Sequence, residues 1–344
     1  MPGDGFRDMA KRSRHHKSVL RMYTEYVLFG SLYHMARLLP LGWAYAAAGR
    51  LMDLMFALEH KHSRRTVGNI LHAGLANSEE EALVLAKRAY RESAKMLVEV
   101  AKEDQLFKPE EFHASAPEAT LDYILPERNH GKFDGLILVS AHYGNWEVAG
   151  RAISGLIGRN MTSLVRHFSN PLIGKLFMRH RAAPTHFPVD KRKGLRPLLK
   201  ALARHEIAAL LIDQHAVSRE GVACEFFGHP ARVHMTPALL HLKTGIPIMP
   251  ELTTRLPGGD FRFEMTAGEL IRYAPTGDKE RDVAVVTQMC ISALEKLIRE
   301  HPEQWLWCTR HWLDRERSSA ADYIGWRPKY KLEAETAAAS GKSA

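Results

Sequence analysis

The chain has 344 residues, 45% of them apolar and 25% charged, which suits one large or two small domains around a sizeable core. It carries 48 Lys and Arg against 39 Asp and Glu, a net charge of +9, and so points to an acidic partner: nucleic acid, an anionic membrane or an acidic carrier protein. Three widely spaced cysteines (Cys224, Cys290, Cys308) exclude a zinc ribbon and a disulfide framework and suit a reducing compartment, and the nineteen histidines include neither a His-Glu-x-x-His motif nor a tight His/Cys cluster, so neither metal nor cofactor is expected.

Residues 1–21 hold Arg7, Lys11, Arg12, Arg14, Lys17 and Arg21 against only Asp4 and Asp8, without the apolar core and cleavage site of a signal peptide. Such a tail either lies on anionic lipid or is simply solvated. Residues 22–58 are apolar but interrupted. The eighteen residues Leu41–Leu58 could span a bilayer by length, yet they contain Arg50 and Asp53, each costing about 2.5–3.5 kcal/mol at a bilayer centre. An i, i+3 pairing of these two would offset part of that cost. Upstream, Arg21, Glu25, Ser31, His34 and Arg37 recur at helical intervals. Two amphipathic helices lying in the membrane interface fit this pattern better than a span, which makes 1–58 a membrane-associating segment.

Residues 61–107 read as helices, with Ser78-Glu79-Glu80-Glu81 as an N-terminal signature and Lys108-Pro109 as a stop. From Gly135 the pattern changes. Short apolar runs at 136–140, 161–165, 207–212 and 246–252 alternate with helical stretches at 146–157, 170–182, 195–204 and 234–244. This alternation predicts an α/β fold with a mixed, largely parallel sheet flanked by helices. Phe261–Met265 alternates as an edge-type strand, and Arg281–Glu300 is a last amphipathic helix. The main domain is expected over 59–316, and the Ala/Ser/Glu/Lys-rich residues 317–344 as a disordered tail.

The most informative stretch is Ser140-Ala141-His142-Tyr143-Gly144-Asn145-Trp146-Glu147, directly behind the apolar run Leu136–Val139. A buried strand there delivers His142 to a strand end, followed by a small-residue turn and a helix start. Spacing alone does not single it out. Four histidines have an acid five positions on (His113/Glu118, His142/Glu147, His215/Glu220, His311/Glu316), where about two are expected by chance. Only His142 follows an unbroken aliphatic run and precedes a Gly-Asn turn. Asp213 also ends an apolar run, so one edge of the sheet can present both groups.

The segment resembles the His-x4-Glu/Asp motif of the bacterial lipid A late acyltransferases. Further blocks follow in that family's order: Val165-Arg166 with Asn170-Pro171, Phe177–Arg181, Leu211-Ile212-Asp213-Gln214, Gly221-Val222 through Phe226-Phe227-Gly228-His229-Pro230-Ala231, Thr244–Pro247, and Pro302–Trp307 with Arg310. Relatives often carry an N-terminal membrane anchor, and this sequence lacks a clean one.

The resemblance implies an O-acyltransferase at the cytoplasmic face of the bacterial inner membrane. It would move a fatty acyl chain from an acyl-carrier-protein or acyl-CoA thioester to a hydroxyl of a lipid A precursor or similar glycolipid. Other polar lipids (a phosphoinositide mannoside, an aminolipid, a polyene lipid) are alternative acceptors, and a non-catalytic basic protein on membrane or nucleic acid is the rival from another class. No nucleic-acid motif is legible, so no nucleic-acid partner is expected. In this reading His142 is the general base, and Glu147, about one turn away, bonds its other ring nitrogen. Asp213 and Arg181 complete the expected catalytic set, with Arg179 as the alternative match to the family's arginine. Backbone N–H groups around Gly144 and Asn145 and of the helix beginning at Trp146 are expected to hold an oxyanion or a phosphate. Arg166, Arg179, Gln214, Arg310 and the run Lys191–Lys193 are expected to bind substrate, the run being equally readable as a solvated face. Trp146, Phe168, Phe177, Phe226 and Phe227 are candidates for an acyl groove. No nucleophile elbow is present, so direct transfer is expected.

Overall fold

The computed structural model describes residues 19–166, 168–181, 183–258, 261–315 and 330–340. Nearly all of the basic tail and the stretch 316–329 lie outside the described residues.

A seven-stranded sheet positions the site. In chain order its strands are β1 (His113–Ser115), β2 (Leu136–Ser140), β3 (Met161–Val165), β4 (His186–Asp190), β5 (Ile207–Leu211), β8 (Ile248–Arg255) and β9 (Phe263–Ala267). A hairpin of β6 (Gly221–Phe226) and β7 (His229–His234) stands apart from it. The sheet order is β1-β9-β8-β2-β5-β3-β4, and every neighbouring pair is parallel except β8 with β9. The expected mixed, largely parallel sheet is present. All five residues of β2 are buried, as a parallel strand covered on both faces requires. Leu136 and Leu138 join one core cluster while Ile137, Val139 and Ala141 join the other, so the strand separates two apolar layers.

The helices are α1 (Val19–Leu38), α2 (Leu41–Leu58), α3 (His60–His72), α4 (Glu79–Leu106), α5 (Glu118–Ile124), α6 (Trp146–Ile157), α7 (Pro171–Arg181), α8 (Arg196–Leu202), α9 (Thr236–Thr244), α10 (Lys279–Glu300) and α11 (Lys331–Ser340). Ser78 caps α4, its hydroxyl accepting from the Glu81 N–H at 3.1 Å, as the sequence signature predicts. Three short strands escape the sequence reading: β1 and the hairpin pair. So does β4, whose His-Phe-Pro-Val-Asp text offers no apolar run. The helix α11 replaces part of the expected disordered tail. Glu333 bonds Arg281 at 2.7 Å and Lys331 bonds Glu225, which fastens α11 to α10 and β6.

The N-terminal helices are clamped to α4. Arg37 forms a two-pronged pair with Asp104 (2.6 and 2.9 Å), and Asp53 pairs with Arg91 (2.8 and 2.7 Å) rather than with Arg50 as its spacing suggested. A side chain one turn away on the same helix loses to a guanidinium that tertiary packing brings into fork geometry. Outward, α1 and α2 expose large apolar residues, among them Leu20 at 78%, Leu28 at 63% and Trp43 at 74%. Among the described residues no helix is long and apolar enough to cross a membrane.

Candidate active site

Parallel pairing in register sets Ser140 of β2 beside Leu211 of β5. Two residues further along each strand, His142 and Asp213 therefore emerge side by side at the carboxyl end of the sheet, where open α/β folds collect their ligands. His142 Nδ1 lies 2.8 Å from Asp213 Oδ1, and the His142 backbone N–H donates to Asp213 Oδ2 at 3.1 Å. Trp305 donates its indole N–H to the same Oδ2 at 2.9 Å. With Nδ1–H donated to the carboxylate, the imidazole lone pair stands at Nε2, 3.5 Å from Gln214 Nε2.

Burial pushes the Asp213 carboxyl up, but the His142 charge and hydrogen bond, aided by His311 and Trp305, hold it down at about 2. Burial likewise pushes His142 down. The charge and hydrogen bond of Asp213 outweigh it, with Glu147 adding and Arg181 opposing, so the imidazole stands above its ordinary value. A carboxylate fixed on one ring nitrogen of a histidine is the base-and-orienter arrangement of acyl-transfer chemistry.

Glu147 does not bond the imidazole, contrary to the sequence expectation. Its carboxylate pairs bidentately with Arg181 (both contacts 2.6 Å) and accepts from Trp146 Nε1 at 3.1 Å. Five residues on, Glu147 already sits in the first turn of α6, while Asp213 shares the strand-end geometry of His142. Arg181, reaching over from α7, is therefore a partner of Glu147, and its guanidinium lies 5.3 Å from the Phe168 ring.

The turn between His142 and α6 is fixed by packing and hydrogen bonds. Gly144 adopts φ +54°, and a Cβ there would run into the Thr253 carbonyl. Asn145 caps α6, accepting from the Val148 N–H at 3.1 Å, and donates its amide to Glu99 at 2.9 Å. The Gly144 N–H donates to Gln304 O at 3.0 Å and the Asn145 N–H to Thr253 O at 3.3 Å. Those two N–H groups are consumed by the fold, so Gly144 and Asn145 do not contribute their N–H groups to the expected oxyanion or phosphate cradle.

A cavity of about 930 Å³ opens beside His142. Leu138, Ile153, Met161 and Ala209 contribute its apolar wall, and Arg166, Lys191, Arg192 and Arg219 its basic rim. Glu147, Arg181 and Gln214 also line it. Arg310 does not; it is exposed, its carbonyl accepting from the His215 N–H at 3.2 Å. The side chains of Arg179 and Lys193 lie outside the described residues. Of the aromatic candidates, Trp146 lines the cavity, whereas Phe226 and Phe227 pack into a buried cluster with Trp305 and Trp312. Phe177 is buried against Met96 and Val100, and Phe168 stacks on it at 4.7 Å.

Trp305 and His311, whose Nδ1 lies 2.9 Å from the Asp213 carbonyl, were not anticipated as site residues. The Pro302–Trp307 block carries the sequence signal for Trp305, and His311 stands out only as one of the four histidines with an acid five positions on. Residues 10–314 match the family described as bacterial lipid A biosynthesis acyltransferase.

The chain belongs to that acyltransferase family.

Among curated proteins it is similar to the phosphatidylinositol mannoside acyltransferase of Mycobacterium tuberculosis, 25% identical over 182 residues, 52% of this chain and 55% of the relative. The protein of the same name from Mycolicibacterium smegmatis is 23% identical over 182 residues, 52% of this chain and 57% of the relative. The chain thus spans about half the length of the curated relatives it matches. In this acyltransferase family member, His142 and Asp213 are the paired imidazole and carboxylate that stand at the carboxyl end of the sheet beside the cavity.

Proposed function

We propose that this acyltransferase moves a fatty acyl chain from a thioester donor to a hydroxyl of a phosphate- and sugar-bearing lipid, with His142 as general base. The observation that carries the reading is the His142–Asp213 pair beside a cavity with an apolar wall and a basic rim. The acceptor hydroxyl gives its proton to His142 Nε2 as its oxygen attacks the thioester carbonyl. When the tetrahedral intermediate collapses, the C–S bond breaks and the leaving sulfur takes that proton back. Asp213 holds the imidazole in one tautomer and stabilises the imidazolium, and such a base is worth about 10²–10⁴ in rate.

The apolar wall suits an acyl chain. The rim arginines and Lys191 suit phosphates, of an acyl-carrier-protein or acyl-CoA donor on one side and of the acceptor headgroup on the other. A lipid A precursor or similar glycolipid is the acceptor that the family name favours; a phosphoinositide mannoside is the second reading, favoured by the names of both relatives. The exposed apolar faces of α1 and α2, with the basic charge, support a peripheral seat on the anionic cytoplasmic face of the inner membrane.

Transfer is direct. Burial pushes the Cys224 thiol far above its ordinary value, so it is no nucleophile at neutral pH. Ser140 is buried and hydrogen-bonded to Glu251. Initial-rate lines with both substrates varied should intersect, and labelled donor alone should leave the denatured chain unlabelled. Parallel lines with stoichiometric label that is lost in Ser140→Ala would replace this with an acyl-enzyme route. Lipid mass spectrometry of the host with the wild-type gene, without it, and with His142→Ala tests the acceptor. One lipid class should lose one acyl mass in the latter two strains, and identical lipid profiles would sink the proposal.

A further inference from the structure

Away from the cavity, three segments distant in sequence bring two imidazoles and a carboxylate together. His72 closes α3, His229 opens β7, and Asp314 follows the buried Trp312-Leu313 pair. His72 Nε2 lies 3.0 Å from Asp314 Oδ1, and His229 Nδ1 lies 3.0 Å from Asp314 Oδ2. The two imidazole rings stack with centroids 3.5 Å apart, and the edge of Trp312 closes one side. One ligand atom from each residue falls within 4.8 Å of the other two. All three residues are partly buried.

We propose that His72, His229 and Asp314 bind a divalent first-row metal ion, zinc foremost, that ties the segment carrying Trp305 and Trp312 to α3 and β7. Two imidazoles and one carboxylate are donors that zinc accepts, and with bonds of about 2.0–2.1 Å its donor atoms stand about 3.3 Å apart. Asp314 meets the two rings through different oxygens, and one donor atom from each residue lies within 4.8 Å of the others. The ion would therefore draw the donors together and part the rings from their stack by side-chain rotation. Water would complete the coordination. The neighbouring Arg315, whose guanidinium bonds the Gly68 carbonyl, opposes a cation here, so the ion is held by its donor atoms rather than by a negative field. The mechanical consequence is specific. Leu313 N–H donates to Pro230 O at 2.8 Å and Trp312 Nε1 to Phe226 O at 2.7 Å, so a clip at Asp314 locks the same strap that holds Asp213 through Trp305.

The test uses the full chain without an affinity histidine tag, stripped with EDTA and titrated with Co²⁺ and then Zn²⁺. One Co²⁺ per chain should bind with the visible ligand-field bands of a low-coordinate nitrogen/oxygen site, Zn²⁺ should displace it, and Zn²⁺ should raise Tm. His229→Gln and Asp314→Asn should each weaken binding by at least about tenfold and remove the Tm response, as expected when one of three ligands is lost. A His60→Gln/His62→Gln variant should retain both. Absence of the cobalt bands in the wild type would mark the trio as a hydrogen-bonded cluster only and overturn the proposal. So would binding unchanged in the two ligand variants. If Asp314→Asn fails to fold, His229→Gln, on the more exposed ring, decides alone.

Discussion

At the scale of single residues, catalysis in this reading rests on a pair that the chain separates by seventy-one positions. His142→Ala in a folded protein should lower turnover at least about a hundredfold, Asp213→Ala nearly as much, and the double variant little more, because the two act as a unit. Single-turnover rates with saturating donor check this, and additive losses would argue against a unit. The rate should rise with pH along a limb set by His142, above the ordinary imidazole value, because only the neutral ring accepts a proton. In Asp213→Asn the anion that holds that value up is gone, so the limb of the residual activity should move to lower pH. Glu147 is a different case. Glu147→Gln leaves Arg181 without its buried partner and should cost about 3–5 kcal/mol in a urea titration. Because Glu147 helps to hold the His142 value up, the substitution should also move the His142 limb to lower pH, by less than Asp213→Asn does.

At the scale of elements, the turn from β2 to α6 shows how local conformation and remote packing fix one side chain. Gly144 is required twice: its φ of +54° belongs to the left-handed region, and the Thr253 carbonyl occupies the space a Cβ needs. Gly144→Ala should displace His142 and abolish activity even where soluble protein is recovered, with circular dichroism separating this from global unfolding. The next residue, Asn145, joins α6 to α4, and Glu99 at that junction also accepts from the Tyr45 hydroxyl of α2 at 2.9 Å and pairs with Arg255. Asn145→Ala removes a helix cap worth about 0.5–2 kcal/mol and one donor to a buried carboxylate. Chemical denaturation should report a loss at or above that range, together with reduced kcat. A loss below it would mean that the cap is dispensable.

At the scale of the whole molecule, charge and exposed apolar surface act together. The chain should bind vesicles of anionic lipid, more weakly as salt rises, and Leu28→Glu with Trp43→Glu should weaken binding while leaving Tm near the wild-type value, since both side chains are exposed. Unchanged sedimentation with vesicles would remove α1 and α2 from the membrane contact. The interior also carries a pH-dependent burden. Burial raises the Glu251 carboxyl, and separately that of Glu103, to about 7. A folded value raised above the unfolded one gives stability that is complete below the unfolded pKa and lost as pH rises through the folded one. Stability should therefore fall from about pH 4.5 towards and beyond 7, and Glu251→Gln should flatten that fall in urea midpoints measured from pH 5 to 8.

The sequence by itself determined the local elements whose signals lie within one window. An unbroken aliphatic run made β2, a Ser-x-x-Glu start made α4, and strands alternating with helices implied the parallel sheet. Motif order also carried the family. Only the tertiary structure decided which groups meet. The bond of His142 to Asp213 rather than to Glu147 depends on β5 lying beside β2 in register, a pairing across seventy-one residues that no local periodicity encodes. The same holds for Asp53 with Arg91, for Trp305 on Asp213, and for His72 with His229 and Asp314. Spacing along the chain determines contacts only within a turn of helix or a strand pair. Beyond that, the order of strands in the sheet brings side chains together, and it left Glu147 to Arg181.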